Sequence, residues 1–418
     1  MLGVLSSAWK VADLRRKLIF TFLMLLVFRI GIFIPVPGID KAVIRDLIAQ
    51  GQLLGFFNIM SGGAFENFSI FAMSITPYIN ASIIINLLTV VIPYFERLSK
   101  EGPDGRKKIG EYTRYGAVIL GAVQALGISI GLRSAVINPG VGSTLIIIIT
   151  LTAGTAFLMW LGELITEKGI GNGISLLIFA GIVSRIPSGI ITISQYLRAG
   201  TTNIFVILLF VVVAVLVIMA VIAVNEGERK INVQYAKRVV GRKVYGGQST
   251  HIPIKVNQAG VIPVIFAVSI LTFPSTIASW FPNNQVAAWI AKNMTFESVW
   301  YNLIYVLLII FFTYFYTAIS FNPNDIADNL KKYGGFIPGL RPGRPTAEHI
   351  QRISGRITLA GAIFLALIAV FPSLLMKLTK LPLYFGGTSL LILVGVAIET
   401  MKQLESNLLM RHYQGFLK

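Results

Sequence analysis

Asn80 and Asn86, downstream of Pro77, interrupt an apolar stretch (residues 68–95) that is otherwise long enough to cross a bilayer. Amide side chains at membrane depth bring hydrogen-bond donors and acceptors into a medium that offers none, so their chemistry is lining and binding rather than anchoring. A helix that faces only lipid has no use for them, or for a proline. The stretch runs straight into a basic, turn-rich loop, KEGPDGRKKIGEYTR (100–114). Together they point to a helix that lines something polar or mobile and ends on the cytoplasmic side.

Residues placed for covalent chemistry are absent. His251, His349 and His412 are isolated and form no HExxH pattern, so a catalytic metal site is not expected. No GxxxxGK(S/T) phosphate loop occurs. The run Gly169-Ile170-Gly171-Asn172-Gly173 has glycines but neither a preceding strand nor the right spacing, and reads as a tight turn between two spans. The chain has no cysteine, which excludes disulfides, thiol catalysis and Cys-zinc sites. Glu163 and Glu399 lie near the cytoplasmic ends of their spans and Arg29 near an outer end. The membrane centre therefore lacks the carboxylate pair or histidine relay that an ion-coupled carrier uses. Neither an enzyme nor a cofactor is expected.

The elements that must position these residues are membrane helices. Of 418 residues, 55% are hydrophobic and only 13% charged, with a mean hydropathy of +0.75; soluble proteins carry about a quarter charged residues. Uncharged runs able to cross ~30 Å of hydrocarbon as helix lie at 68–95, 115–132, 134–162, 199–225, 256–291, 298–324, 357–376 and 381–398. Two weaker segments, 18–35 (interrupted by Arg29) and the short 169–184, bring the expectation to ten spans of an all-α integral membrane protein. An even number puts both termini on one side. With that side cytoplasmic, the four long basic segments (10–17, 97–114, 229–255 and 331–356) all fall there, as the positive-inside rule requires. The net charge of +18 serves orientation and attraction to anionic lipids, and leaves open an acidic or RNA-bearing docking partner. The N-terminus imitates a signal peptide (basic residues, then LIFTFLMLLVF) but lacks a small-residue cleavage site and runs on into IPVPGID, so it reads as a retained anchor.

The spans divide into an N-terminal half (1–185) and a C-terminal half (204–418), joined by an external hinge at 186–203 rich in Pro, Ser and Gly. Each half has an irregular, polar-flecked span near its start (74–86 and 256–273), the pattern of an inverted repeat with a pathway at the interface. Two cytoplasmic loops exceed ordinary connectors. Residues 225–255 alternate as a basic hairpin with Gly246-Gly247 near its end, and 322–355 contain YGGFIPGLRPGRPT, a fixed, protruding turn. Outside, LLGFFNIM (53–60) precedes Ser61-Gly62-Gly63 and is too short to span; an interfacial helix and a re-entrant piece both fit.

IPVPGID (34–40), ITPYINASIIINLLTVV (75–91), KEGPDGRKKIGEYTRYG (100–116), GELITEKGIGNGISLLIFAGI (162–182), YAKRVVGRKVYGGQSTHIPIKVNQAGVIPVIFA (235–267), GFIPGLRPGRPTAEHI (335–350) and YFGGTSLLILVGVAIET (384–400) resemble the SecY family, pore-forming subunits of the bacterial protein-conducting channel. The match runs nearly end to end and includes loops. It implies two pseudo-symmetric halves, helices one to five and six to ten, closing around a central hourglass pore. A lateral gate would lie between the second and third helices and the seventh and eighth. Signal-bearing, unfolded secretory chains would cross the bacterial plasma (inner) membrane, and membrane proteins would leave sideways into lipid. The resemblance further implies SecE and SecG as companion subunits, and the SecA ATPase or a translating ribosome docked on the cytoplasmic loops. From another class, an inverted-repeat secondary transporter is the alternative; it requires a buried ionisable substrate site.

Carried over residue by residue, the resemblance puts a constriction ring at Ile75 and Ile79 of the second helix, Ile174 and Ile178 of the fifth, Ile265 of the seventh and Ile392 of the tenth. The i,i+4 pairs share a helix face, and an aliphatic collar blocks ions by dewetting. A plug falls at about 53–66, with Leu53, Leu54, Phe56, Phe57, Ile59 and Met60. Asn80 and Gln124 take gate positions, where pairing across a helix seam is worth roughly 1 kcal/mol; Phe273 stands where some relatives carry an amide. Arg242 and Lys243 on the first loop and Arg341 at the tip of the second match docking positions. A guanidinium on a Pro/Gly-fixed turn suits a bidentate contact with carboxylate or phosphate. Lys331, Lys332 and Arg344 read as ordinary positive-inside charge.

Overall fold

Prolines decide where the second membrane segment becomes helical and where it breaks. The computed structural model describes residues 2–44, 58, 61–200, 203–235, 238–240, 243–245, 249–279, 284–295, 298–379 and 387–416. Its helices in chain order are α1 (Leu2–Lys10), α2 (Ala12–Gly31), α3 (Thr76–Val91), α4 (Pro93–Lys100), α5 (Pro103–Gly131), α6 (Val141–Lys168), α7 (Gly173–Ser184), α8 (Ile186–Arg198), α9 (Ile204–Glu226), α10 (Ile262–Ser279), α11 (Gln285–Asn293), α12 (Val299–Ser320), α13 (Pro323–Lys332), α14 (Arg344–Thr379) and α15 (Gly387–Phe416). Pro77 sits in the first turn of α3, where its missing N–H is not needed. Pro93 forces Ile92 into an extended conformation (φ −103°, ψ 120°), so α3 stops there and α4 turns off at 98°.

Each of the ten expected segments overlaps a helix: α2, α3, α5, α6, α7, α9, α10, α12, α14 and α15. By length and hydropathy, six spans among the described residues can cross a membrane, or seven with the bent α3–α4 pair taken as one. The segment expected as helix from residue 68 is helical only from Thr76. Before it, residues 61–75 form turns, with positive φ at Phe68 (40°) and Ser74 (53°). The 186–203 connection also differs from a simple loop, since Ile186–Arg198 is helical; Pro187 falls in its first turn, where proline is tolerated.

Non-helical backbone at membrane depth must find its hydrogen bonds within the protein. The Ile70 N–H donates to Ile34 O (3.0 Å), the Val36 N–H to Phe68 O (2.9 Å) and the Ser69 N–H to Ala64 O (2.9 Å). The segment lies so close to α6 that a Cβ on Gly154 would collide with the Ile70 carbonyl. Around it, α3 packs on α5, α5 on α6 and α6 on α7; α10 packs on α12 and α12 on α14. The two groups meet where α10 contacts α3 and α5, and where α7 contacts α15.

The two long loops at 225–255 and 322–355 make one folded unit. β1 (Glu228–Tyr235) pairs antiparallel with β4 (Ser249–Lys255), with a short inner hairpin, β2 (Arg238–Val240) and β3 (Lys243–Tyr245), between them. From the other loop, β5 (Gly335–Phe336) adds to the free edge of β1, giving the order β4-β1-β5. Ile231, Val233 and Ile254 from the first loop share a buried core with Leu330 and Ile337 from the second and Ile350 at the start of α14. Truncating Ile350, which is fully buried, to Ala is expected to cost about 2–5 kcal/mol within this unit. Limited proteolysis should then cleave faster within these two loops while the membrane helices stay protected.

Candidate functional site

Four helices from both groups carry the six isoleucines that the resemblance singled out, or begin directly after them. Ile75 is the N-cap of α3 and Ile79 lies one turn on; the Ile79 N–H donates to Ile75 O (3.1 Å), which stacks the two on one face. α7 starts at Gly173, with Ile174 in its first turn, and Asn172 caps it: Oδ1 accepts from the N–H groups of Ile174 (3.1 Å) and Ser175 (3.2 Å). Thr166 Oγ1 accepts from the Gly173 N–H (2.9 Å), tying the α6 end to the α7 start. Ile265 sits in α10 and Ile392 in α15, and a Cβ on Gly395 of α15 would meet Cγ1 of Val261, the residue just before α10. Ile75, Ile79, Ile178, Ile265 and Ile392 are buried in one continuous apolar cluster, and the half-buried Ile174 packs against it.

At the seam between the two groups, α10 lies against α3 and α5. Asn80 on α3 and Gln124 on α5 are 9% and 8% exposed, whereas Phe273 on α10 is 41% exposed. The two amides are thus enclosed on neighbouring helices, and Phe273, next to the in-helix Pro274, faces outward. Glu163 is charge-paired, accepting from Arg114 Nε at 2.7 Å.

Arg341 is exposed on a turn fixed from both sides. The Leu340 N–H donates to Ile337 O (3.0 Å), and Thr346 Oγ1 donates to the Arg341 carbonyl (2.8 Å). Gly339 (φ +82°) and Gly343 (φ +100°) supply left-handed backbone that other residues resist. Lys243 is in β3, its backbone paired with Val240. Arg242 lies outside the described residues, as do Leu53, Leu54, Phe56, Phe57, Ile59 and Met60. Sequence reasoning missed two arrangements: the union of the two long loops through β1 and β5, and a polar cluster of Asn58, Glu66 and Arg185 with Arg29. The available signal for the cluster was a lone carboxylate, Glu66, close after Ser61-Gly62-Gly63 in an otherwise neutral stretch.

A family profile described as SecY matches residues 69–401. The chain belongs to the SecY family. A relative from Halalkalibacterium halodurans, a protein translocase subunit SecY, is 52% identical over 431 residues and covers 100% of both chains. The fold is similar to a solved SecY structure in which the plug domain stabilises the closed state and maintains a membrane seal (TM-score 0.69, 19% identity, 94% of this chain and 92% of that one). It is also similar to Sec61 in a canine ribosome–channel complex (TM-score 0.63, 17% identity, covering 94% and 92%). This is a multi-pass membrane protein of a channel family, not an enzyme.

An amide in the aliphatic cluster would hold water where isoleucine sheds it. Ile392→Asn is therefore expected to raise resting ion conductance in planar bilayers above wild type and to admit substrates with weakened signal sequences. Unchanged conductance together with unchanged discrimination would refute the ring.

Proposed function

We propose that this chain is the central, channel-forming subunit through which unfolded secretory polypeptides cross a bacterial plasma membrane, and from which membrane proteins pass sideways into lipid. One observation supports the proposal: Ile75, Ile79, Ile178, Ile265 and Ile392, drawn from both groups, are buried in one apolar cluster that also takes in Ala64 and Phe71 of the non-helical segment. Such a waist offers a sliding backbone no hydrogen bond to hold it, and gives ions no charge to replace their hydration. The transporter alternative finds no support, since the curated relative is a translocase subunit and Glu163 is paired at a helix end.

In this reading Ile75, Ile79, Ile174, Ile178, Ile265 and Ile392 form the constriction, and the plug occupies about 53–66. Asn80 and Gln124 bias the closed state of a lateral gate along α3, α5 and α10. The halves 1–185 and 204–418 move about the 186–203 connection as inverted repeats. Both termini face the cytoplasm, as the basic segments demand. Arg242, Lys243 and Arg341 receive the SecA ATPase or a translating ribosome, while SecE and SecG complete the complex and anionic lipids surround it. The Sec61 neighbour in a ribosome complex supports ribosome docking.

Photo-crosslinkers at positions 75 and 178 should capture a stalled secretory chain, and one at the lipid-exposed Leu208 should not. Equal capture at all three would sink the pore assignment. Arg341→Glu is expected to abolish SecA-driven export from proteoliposomes while leaving insertion and folding intact; wild-type export rates would refute docking at that turn.

A further inference from the structure

Glu399 stands on the same face of α15 as Ile392. Seven residues turn an α-helix through almost two full turns, so the carboxylate lies about 10 Å further along that face. Between the two, a Cβ on Gly395 would meet Val261 Cγ1, and Val396 is fully buried. The face is thus packed at Ile392 and Val396 and opens at Glu399, which is exposed. Its neighbour Thr400 lies against the other group of helices: a Cβ on Gly171, in the α6–α7 turn, would stand 3.1 Å from Thr400 Oγ1. Glu399 therefore sits where the two groups meet, beyond the aliphatic cluster and beside Lys255, which ends β4. α3 repeats the offset, with the half-buried amide of Asn86 seven residues past Ile79.

This carboxylate is not committed to a structural partner. Among the described residues it makes no ion pair, whereas Glu226 holds Lys402 Nζ at 3.4 Å and Glu163 holds Arg114 Nε at 2.7 Å. Lys255 and Tyr316 of α12 lie within electrostatic reach of it, and the exposed Lys255 is a loose counter-charge that another cation can replace. A neutral waist resists cations, because a lysine or arginine entering it loses hydration and receives nothing in exchange. A carboxylate about 10 Å short of that waist, between low-dielectric walls that focus its field, offsets part of this cost by holding the cation on its approach. Exposure keeps the contact weak enough to part, since water takes back both charges. A neutral side chain gains nothing from it.

We infer that Glu399 is a recognition site for the cationic side chains of a polypeptide in transit, holding each lysine or arginine just before the proposed constriction. The inference rests on the channel reading above. The test compares SecA-driven export from proteoliposomes of two substrates with one signal, the first carrying a short run of lysines in its mature region and the second glutamines at the same places. The readout is the ratio of the two rates. Glu399→Gln is expected to lower that ratio about fivefold, equivalent to ~1 kcal/mol, and Glu399→Asp to keep it near the wild-type value. Lys255→Gln removes the competing cation and should raise the ratio. Glu405→Gln, at an exposed site on another face of α15, should leave it unchanged. A ratio that Glu399→Gln leaves unchanged or raises would overturn the site. So would a fall of the same size in Lys255→Gln, which marks two residues that merely tether each other. Failure of the wild-type chain to export either substrate would instead overturn the channel reading.

Discussion

Hydrocarbon cannot hydrogen-bond, and the architecture follows from that. Residues 61–75 are not helical, so every N–H and C=O in them must be answered by protein. Ile34, Val36, Ala64 and Ser69 answer several of them from the backbone, and Asn58 and Arg29 answer others from side chains. Such a segment needs helices packed against it, as α6 is here. Gly154 marks how tightly that enclosure is drawn.

Inside the enclosure the chemistry divides by depth. The cluster around Ile79, Ile178, Ile265 and Ile392 has no charge and little conformational slack, because β-branched side chains are stiff at χ1. Charges sit beyond it: Glu163 with Arg114 at one end, and Glu66 with Arg185 at the other. Neutral groups fill the buried cluster, and the ion pairs lie where water reaches their side chains.

The unit made by the two long loops is tied into this frame at its base. The Val256 N–H donates to Gly227 O (2.9 Å), and Asn257 Nδ2 donates to Asn225 Oδ1 (2.8 Å). These bonds join the sheet to the end of α9 just before α10 begins, and α10 is the helix that lies on α3 and α5. The Arg341 turn is therefore part of a body with its own core and a short connection to the seam between the groups.

Hydropathy, the positive-inside asymmetry and the absence of catalytic constellations were legible in the chain itself, because each depends on local composition. The proposed aliphatic ring rests on resemblance, since one isoleucine in an apolar span is chemically like any other. Folding alone decided that α3 begins at Thr76 rather than near residue 68, because whether a buried backbone may leave the helix depends on partners distant in sequence. The joining of two loops through β1 and β5 was decided in the same way, by strand edges that meet only in three dimensions. So was the pairing of Glu66 with Arg185, 119 residues apart: sequence names both charges, but Coulomb attraction acts over a few ångströms that only the packed helices establish.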